Sequence, residues 1–291
     1  MTIAERAKQL LDQRKPFVHA TVVRAQPPTS AHAGDEAILL ADGTIEGFVG
    51  GQCAQNSVRR AALGALQAGE SVLLRVLPDG EVHFPDAPGA AVVVNPCLSG
   101  GALEIFLTPQ YPAPLVRICG HTPIAEELSR VCAVLGYDVG RDDADGYDGA
   151  TAVVIATHGG AEAEIIRAAL DAGVGYVGLV ASRVRGPSVL DALDLDETQR
   201  GRVHTPVGLP IGAKTPAEIA VSIAAEVIAA IRRDGVAVQT RRIVDAPVTV
   251  VDPVCGMTVT VASDTPHLQL AGTDYWFCCP GCRTRFAAAQ A

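Results

Sequence analysis

The chain has 291 residues, of which 48% are hydrophobic and 19% are charged, a composition typical of a globular protein with about two domains. Its formal net charge is -9, from 32 acidic and 23 basic residues. This acidic balance argues against a nucleic-acid-binding protein, because such proteins present an excess of basic side chains. Charge gives no indication of a membrane function either.

The first residues predict an amphipathic surface helix, since Ile3, Ala7, Leu10 and Leu11 recur at helical spacing with charged residues between them. A secretory signal would need an uninterrupted apolar stretch after a basic start, and none is present here. The most apolar long segment, 219–231, is too short and too polar to span a bilayer. We therefore expect a cytoplasmic protein without a membrane partner.

Residues 1–110 predict an α+β domain, in which short strands surround a helix over 57–68. The expected strands cover 17–24, 37–40, 72–77, 91–95 and 102–107. Three prolines in 108–114 should end regular structure there, because proline lacks an amide hydrogen and disfavours helix in the residue before it. A second linker is expected over about 233–250.

Residues 115–233 alternate short apolar runs with helical patterns, which predicts a parallel sheet covered on both faces, as in Rossmann-like domains. The strands are expected at 115–119, 137–139, 151–157 and 175–180. The helices are expected at 124–135, 161–172 and 216–232. The fold class is therefore α/β, with an N-terminal α+β domain over 1–110 and a Rossmann-like domain over 115–233.

The turn after the first strand of that domain partly matches the dinucleotide fingerprint G-x-G-x-x-G/A. Gly120 and Ala125 fit its ends, with His121 between them, but Thr122 replaces the middle glycine. Asp142 and Asp143 follow the second strand, where they could accept a hydrogen bond from a ribose hydroxyl. The turn predicts a phosphate site at a helix N-terminus; the alternative is a tight turn with solvated aspartates.

Two further loops leave the same sheet edge, where ligands of open α/β sheets bind. His158 lies in the first loop, and Arg183 and Arg185 lie in the second. Paired arginine donors suit a phosphate. The alternative is a pair of surface arginines in salt bridges.

Two segments carry a specific resemblance, Tyr176-Val-Gly-Leu-Val-Ala-Ser-Arg183 and Pro206-Val-Gly-Leu-Pro-Ile-Gly-Ala-Lys-Thr-Pro-Ala-Glu-Ile-Ala220. They resemble the hallmark stretches of the xanthine dehydrogenase accessory family, of the XdhC/CoxI type. The resemblance implies a chaperone that binds molybdenum cofactor, supports its sulfuration and delivers it to a molybdenum hydroxylase of the xanthine or carbon monoxide dehydrogenase class. The cofactor would be molybdopterin or its dinucleotide form.

Two glycine-rich turns with a cysteine resemble the N-terminal domain of the same family. The first is Gly47-Phe-Val-Gly50-Gly51-Gln-Cys53, and the second is Asn95-Pro-Cys97-Leu-Ser-Gly100-Gly101. Glycines let the backbone approach a ligand, and a thiolate can bind metal or accept sulfur. The resemblance implies catalytic or ligating roles for Cys97 and Cys53, whereas the residues alone favour buried cysteines. Gln55 stands where many members carry glutamate, so carboxylate-assisted proton transfer is in question and binding without catalysis stays open.

The last residues, 251–291, resemble a YHS domain, a small metal-associated module. The resemblance rests on Asp252-Pro-Val-Cys255-Gly-Met257 and on the pair Cys278-x3-Cys282. So small a module rarely buries enough apolar surface to fold without a metal or a disulfide. Cys255, Cys278 and Cys282 are the expected metal ligands, with Cys279 or an outside group as the fourth, and zinc or copper as the metal. The alternative is a reduced, metal-free module docked on the other domains.

Three functions follow from these patterns. The first is the molybdenum-cofactor maturation factor, with the hydroxylase apoenzyme as partner and a cysteine desulfurase and a second copy of the chain as further candidate partners. The second is an NAD(P)-dependent oxidoreductase that uses the Gly120 turn. The third is a metal carrier or sensor that acts through the C-terminal module. Whether the protein is itself an enzyme is left open by the sequence.

Overall fold

The computed structural model describes residues 1–78, 88–95, 101–141, 146–233 and 248–290. The chain forms two compact units. Unit 1 combines residues 1–112 with residues 243–291, and unit 2 comprises residues 113–242. Among the described residues, no helix is both long and apolar enough to cross a membrane.

Unit 1 is built on a six-stranded sheet with the order β3-β2-β1-β6-β4-β5. All neighbouring pairs are antiparallel except β4 and β5, which run parallel. The strands are β1 (Phe17–Gln26), β2 (Glu36–Leu40), β3 (Ile45–Gly47), β4 (Val72–Pro78), β5 (Ala91–Asn95) and β6 (Ala102–Gln110).

Helix α2 (Gln52–Ala68) covers one face of this sheet and supplies Val58, Ala62, Leu63 and Leu66 to its core. It begins after Gly51 and ends at Gly69, whose left-handed conformation is typical of a helix C-terminus. Helix α1 (Ile3–Asp12) packs Leu10 against Phe17 and Ile38, which confirms the expected amphipathic helix.

The C-terminal part of unit 1 consists of two hairpins and a helix. The elements are β12 (Thr249–Val251), β13 (Thr258–Thr260), β14 (His267–Leu270), β15 (Thr273–Trp276) and α8 (Pro280–Ala289). β12 pairs with β13, and β14 pairs with β15. Their small core contains Val259, Phe277, Cys278 and Cys282, so two of the cysteines are part of the packing.

Unit 2 contains a five-stranded, wholly parallel sheet with the order β11-β10-β9-β7-β8. The strands are β7 (Leu115–Cys119), β8 (Asp138–Arg141), β9 (Ala152–Ile155), β10 (Tyr176–Leu179) and β11 (Val203–His204). The chain reverses its direction of winding between β7 and β9. In sheets of this kind, the crevice at such a switch point is where ligands bind.

Helices cover both faces of this sheet. Helices α3 (Pro123–Val134) and α7 (Pro216–Arg232) share a core that includes Leu128, Ile223 and Val227. Helices α4 (Glu162–Asp171) and α5 (Arg185–Asp191) pack in a second core on the strands, and the short α6 (Glu197–Arg200) follows. The predicted α/β class with a parallel, Rossmann-like sheet is confirmed.

Some sequence expectations differ from the structure in their detail. The prolines of 108–114 were expected to end regular structure, but strand β6 continues to Gln110 and includes Pro109. Beyond Leu107, β6 is paired with β1 but no longer with β4, and a proline is tolerated where one side of a strand is open. Helix α2 begins at residue 52 rather than 57, because its polar first turn shows no apolar period. The division into domains at 1–110, 115–233 and 251–291 stays a prediction.

Candidate functional site

Three cysteines and an aspartate converge in the C-terminal part of unit 1. One ligand atom from each of Asp252, Cys255, Cys278 and Cys282 lies within 4.8 Å of all the others. The Sγ atom of Cys278 is 3.6 Å from that of Cys255 and 3.7 Å from that of Cys282. The three cysteines expected from the sequence are thus brought together from a turn, a loop and the first turn of α8.

Asp252 is the residue that sequence reasoning missed in this cluster. Its side chain is fully buried and accepts hydrogen bonds from three backbone amides. Oδ1 accepts from the amides of Val254 (2.8 Å) and Cys255 (3.4 Å), and Oδ2 accepts from the amide of Cys278 (2.8 Å). Burial alone would raise the pKa of Asp252, but these amides outweigh it and hold the pKa below its usual value. Asp252 thereby ties the Cys255 turn to the Cys278 loop.

The thiols of the cluster differ in their exposure. Cys278 and Cys282 are buried, whereas Cys255 is exposed. Burial raises the pKa of the Cys282 thiol to about 12. Cys279, the alternative fourth ligand, is the N-cap of α8 and is not a member of the cluster. Three close thiols form a donor set that suits zinc or copper(I).

The C-terminal part of unit 1, which carries the cysteine cluster, is docked on helix α2 by two buried polar side chains. Asn56 Nδ2 donates to the carbonyl oxygen of Thr258 (2.8 Å), and Asn56 Oδ1 accepts from the amide of Thr260 (3.0 Å). Arg59 donates through Nε to the carbonyl oxygen of Gly43 (2.7 Å) and through Nη2 to Asp264 (2.8 Å). The pattern of the sequence gave no sign of this contact, because it joins residues about 200 positions apart.

A cleft of about 290 Å³ lies beside the cluster, and we call it the α2–β5 cleft. Helix α2 and strand β5 form two of its walls, and the turn that carries Cys255 forms another. The residues that line it are Asn56, Ser57, Arg60, Val93, Val94, Cys255, Gly256, Met257 and Thr258. The exposed thiol of the cluster therefore opens onto a cleft large enough for a small organic molecule.

The predicted N-terminal glycine turn leads directly into α2. Gly50 has a φ of +131°, a conformation that favours glycine, and Gly51 is the N-cap of the helix. Cys53 is the second residue of α2. A side chain at Gly101 would come within 2.4 Å of the Pro28 carbonyl oxygen, so that backbone approach requires glycine. Cys97 and Gly100 lie outside the described residues.

The Gly120 turn lies at the switch point of the parallel sheet in unit 2. Gly120 has a φ of +106°, and a Cβ there would be 2.4 Å from the Ala156 carbonyl oxygen after β9. Thr122 caps α3, since its Oγ1 accepts a hydrogen bond from the amide of Ala125 (3.3 Å). The cap occupies one of the amides that a pyrophosphate would otherwise use. Asp142 and Asp143 lie outside the described residues.

Arg141, at the end of β8, is a second residue that sequence reasoning missed. Its guanidinium donates to the carbonyl oxygens of Gly120 and Ala125 (both 3.1 Å) and to Ser129 Oγ (2.9 Å). It also lies 3.4 Å from Nδ1 of His121. Arg141 therefore places a positive charge beside the predicted phosphate turn.

The other two loops of this edge are arranged differently from each other. His158 and Arg183 are both exposed. Arg185, rather than Arg183, forms an ion pair with Glu162, which also accepts a hydrogen bond from Thr157 Oγ1 (2.8 Å). Glu162 is buried, so this contact fixes the loop after β9 against the start of α5.

Two family models match this chain, one within unit 1 and the other within unit 2. Residues 10–76 match the family model described as the XdhC and CoxI family, and residues 116–227 match the XdhC Rossmann domain. The chain is 28% identical over 259 residues to the Escherichia coli (strain K12) uncharacterized protein YqeB. That alignment covers 78% of this chain but only 46% of the relative. A crystal structure of a xanthine dehydrogenase from Bacillus halodurans is 17% identical, with a TM-score of 0.38, over 80% of this chain and 96% of that one.

Proposed function

Because the chain belongs to the XdhC and CoxI family, we propose that it is an accessory factor in the maturation of a molybdenum hydroxylase. It would bind molybdenum cofactor, support its sulfuration and deliver it to the apoenzyme. The observation that carries the proposal is the pair of family matches, which together span more than half of the chain. The desulfurase and a second copy of the chain stay predicted partners.

The switch point of unit 2 supports a role in holding the phosphate end of such a cofactor. Gly120, His121 and Thr122 lie at the N-terminus of α3, where amides and the helix dipole favour an anion. Arg141 adds a full positive charge there. His158 and Arg183 lie in loops at the same edge of the sheet, and both side chains are exposed and could contact a ligand there.

Sulfur and metal chemistry would belong to the N-terminal glycine turns. In this proposal Cys53 and Cys97 present thiolates to the cofactor, and Gly50, Gly51, Gly100 and Gly101 allow the backbone to approach it. The amide of Gln55 would hydrogen-bond the ligand and would not exchange protons with it.

The decisive experiment is a metal and pterin analysis of the full chain, purified from a host that makes molybdenum cofactor. We expect molybdenum and pterin to be retained near one to one with the protein, and a Cys97→Ala variant to lose most of both. Cys132→Ala, which removes a buried thiol of α3, is the matched control. Parent protein that carries neither molybdenum nor pterin would contradict the proposal.

A second candidate function is favoured by the cysteine cluster. The convergence of Cys255, Cys278 and Cys282 supports binding of a soft metal such as zinc or copper(I), and thus a metal-dependent role for the C-terminal part. Deletion of residues 251–291 would test it: loss of bound zinc or copper with retention of pterin separates the two roles. The NAD(P) alternative is less supported, because Thr122 occupies the place of the second fingerprint glycine and caps the helix.

A further inference from the structure

The cysteine cluster is buried on the side of Cys278 and Cys282 and exposed on the side of Cys255. Cys278 and Cys282 are 7% and 2% exposed and belong to the core of the C-terminal part. Cys255 is exposed and lines the α2–β5 cleft. A metal held by the three thiols would therefore meet solvent or a ligand on the side of the cleft.

The cluster offers three thiols and the carboxylate of Asp252, whose Oδ1 accepts two amide hydrogens and whose Oδ2 accepts one. Through these bonds Asp252 orders the two cysteine segments. We take the three thiols as the metal ligands. Cys279 does not join the cluster. A metal with three protein ligands keeps a fourth position for an outside molecule, whereas structural zinc sites are closed by four protein ligands.

The lining of the cleft indicates which molecule would fit. Arg60 is exposed and forms no salt bridge with any residue in the described part of the chain. Ser57 adds a hydroxyl, and Val93, Val94 and Met257 provide apolar surface. A cleft lined by both a cation and a soft metal would select a short molecule with an acidic group and a sulfur donor.

We propose that the α2–β5 cleft binds a small organic thiol with an acidic group. Its thiolate sulfur becomes the fourth ligand of the metal held by Cys255, Cys278 and Cys282, and its acidic group pairs with Arg60. The thiol proton is released to solvent on binding, and neither the metal nor the sulfur changes its oxidation state. This inference depends on the metal site proposed above, but it does not depend on molybdenum cofactor.

The test uses the full chain loaded with cobalt(II), whose thiolate charge-transfer absorbance reports the number of bound sulfurs. Titration with 3-mercaptopropionate should raise this absorbance by about one third, because a fourth thiolate joins three. Propionate lacks the thiol and should leave the absorbance unchanged, and the uncharged 2-mercaptoethanol should act only at much higher concentration. Arg60→Gln should weaken the response to 3-mercaptopropionate about tenfold. Arg283→Gln, which removes an exposed charge from α8, should leave it unchanged.

The outcomes separate the two proposals. Failure of the protein to bind cobalt, or a charge-transfer band that survives Cys255→Ser and Cys278→Ser, contradicts the metal site itself. Stable cobalt binding without a response to 3-mercaptopropionate overturns the inference about the cleft alone. Extraction of cobalt by the thiol, or an Arg60→Gln variant equal to the parent, overturns it as well.

Discussion

Burial separates the cysteines of this protein by their reactivity. Burial raises the pKa of the Cys132 thiol to about 11, so at about pH 8 only about one molecule in a thousand carries the thiolate there. Cys255 is exposed on the α2–β5 cleft. Brief treatment of the folded, metal-free protein with iodoacetamide should alkylate Cys255 and spare Cys132, as read by peptide mass spectrometry. Equal labelling of both residues in the folded protein would contradict the described burial, and labelling of both in urea is the control.

Glu226 is the centre of a partly buried polar network in unit 2. Tyr176 Oη donates to its carboxylate (3.0 Å), the amide of Gly208 donates to the same oxygen, and Nδ1 of His204 lies 3.3 Å from the other. Burial alone would raise the pKa of Glu226, but these three partners lower it below its usual value of 4.5. Because the folded-state pKa is below the unfolded one, the stabilisation is present above about pH 4.5 and is lost as the pH falls through the folded-state pKa.

We therefore expect Glu226→Gln to lower the free energy of unfolding by about 1–2 kcal/mol at neutral pH. The difference in unfolding free energy between parent and variant should shrink as the pH falls below the usual glutamate pKa of 4.5. In that range the parent becomes protonated at Glu226 and loses the charge that the variant already lacks. Urea unfolding at several pH values measures this, and Glu70→Gln, at an exposed position after α2, is the control. A constant difference at all pH values would show that the charge of Glu226 is not what stabilises the network.

At the scale of elements, the contact between the turns after β7 and β9 depends on Gly120. Gly120→Ala would combine a positive φ with a Cβ placed 2.4 Å from the Ala156 carbonyl oxygen. We expect a loss of about 3 kcal/mol or more, because both backbone strain and a steric clash result. Gly136→Ala is the matched control: its φ is +70°, but no atom lies within 4 Å of the added Cβ, so it should lose about 1 kcal/mol. Equal losses in thermal unfolding would show that only the φ angle matters.

The docking of β13 on α2 depends on Asn56, which pairs with the carbonyl of Thr258 and the amide of Thr260. Asn56→Ala leaves that buried amide without its partner and should cost about 1–3 kcal/mol. Hydrogen exchange at the Thr260 amide should accelerate at least tenfold. Gln55→Ala changes the neighbouring side chain and should leave the exchange rate as in the parent. Unchanged protection of Thr260 in Asn56→Ala would mean that other contacts hold the C-terminal part on α2.

The elements with a long, regular pattern were the ones that the sequence predicted best. Helix α7 was predicted with the same bounds that the structure shows, because Thr215 and Pro216 begin it and apolar residues recur throughout. Strands β3 and β11 and helices α5 and α6 were missed, because two to seven residues are too few to show a period. Strands β3 and β11 are instead held by pairing with β2 and β10, and α5 packs against α4.

At the scale of the whole molecule, a metal in the cysteine cluster should stabilise unit 1 and not unit 2. A ligand that binds only the folded state adds about 2.7 kcal/mol at a free concentration of 100 times Kd. Zinc should therefore slow hydrogen exchange throughout residues 1–78 and 248–290, and a chelator should reverse it. Residues 146–233 should exchange at the same rate in both states. Cys278→Ser should abolish the effect, and equal protection of both units would contradict a metal site confined to unit 1.

The sequence by itself determined the α/β class, the parallel sheet of unit 2 and the family, because apolar periods and motifs are properties of neighbouring residues. It also identified the three cysteines of the cluster, because the segment that contains Cys255 and the pair Cys278 and Cys282 resemble the signature of a YHS domain. Only the tertiary structure decided that Asp252 orders these cysteines, that Arg141 reaches the Gly120 turn, and that Asn56 and Arg59 hold the C-terminal part on α2. The physical reason is that each of these arrangements depends on a hydrogen bond or ion pair between residues more than 20 positions apart in the chain. The chain path sets such contacts, and no local pattern of residue types records them.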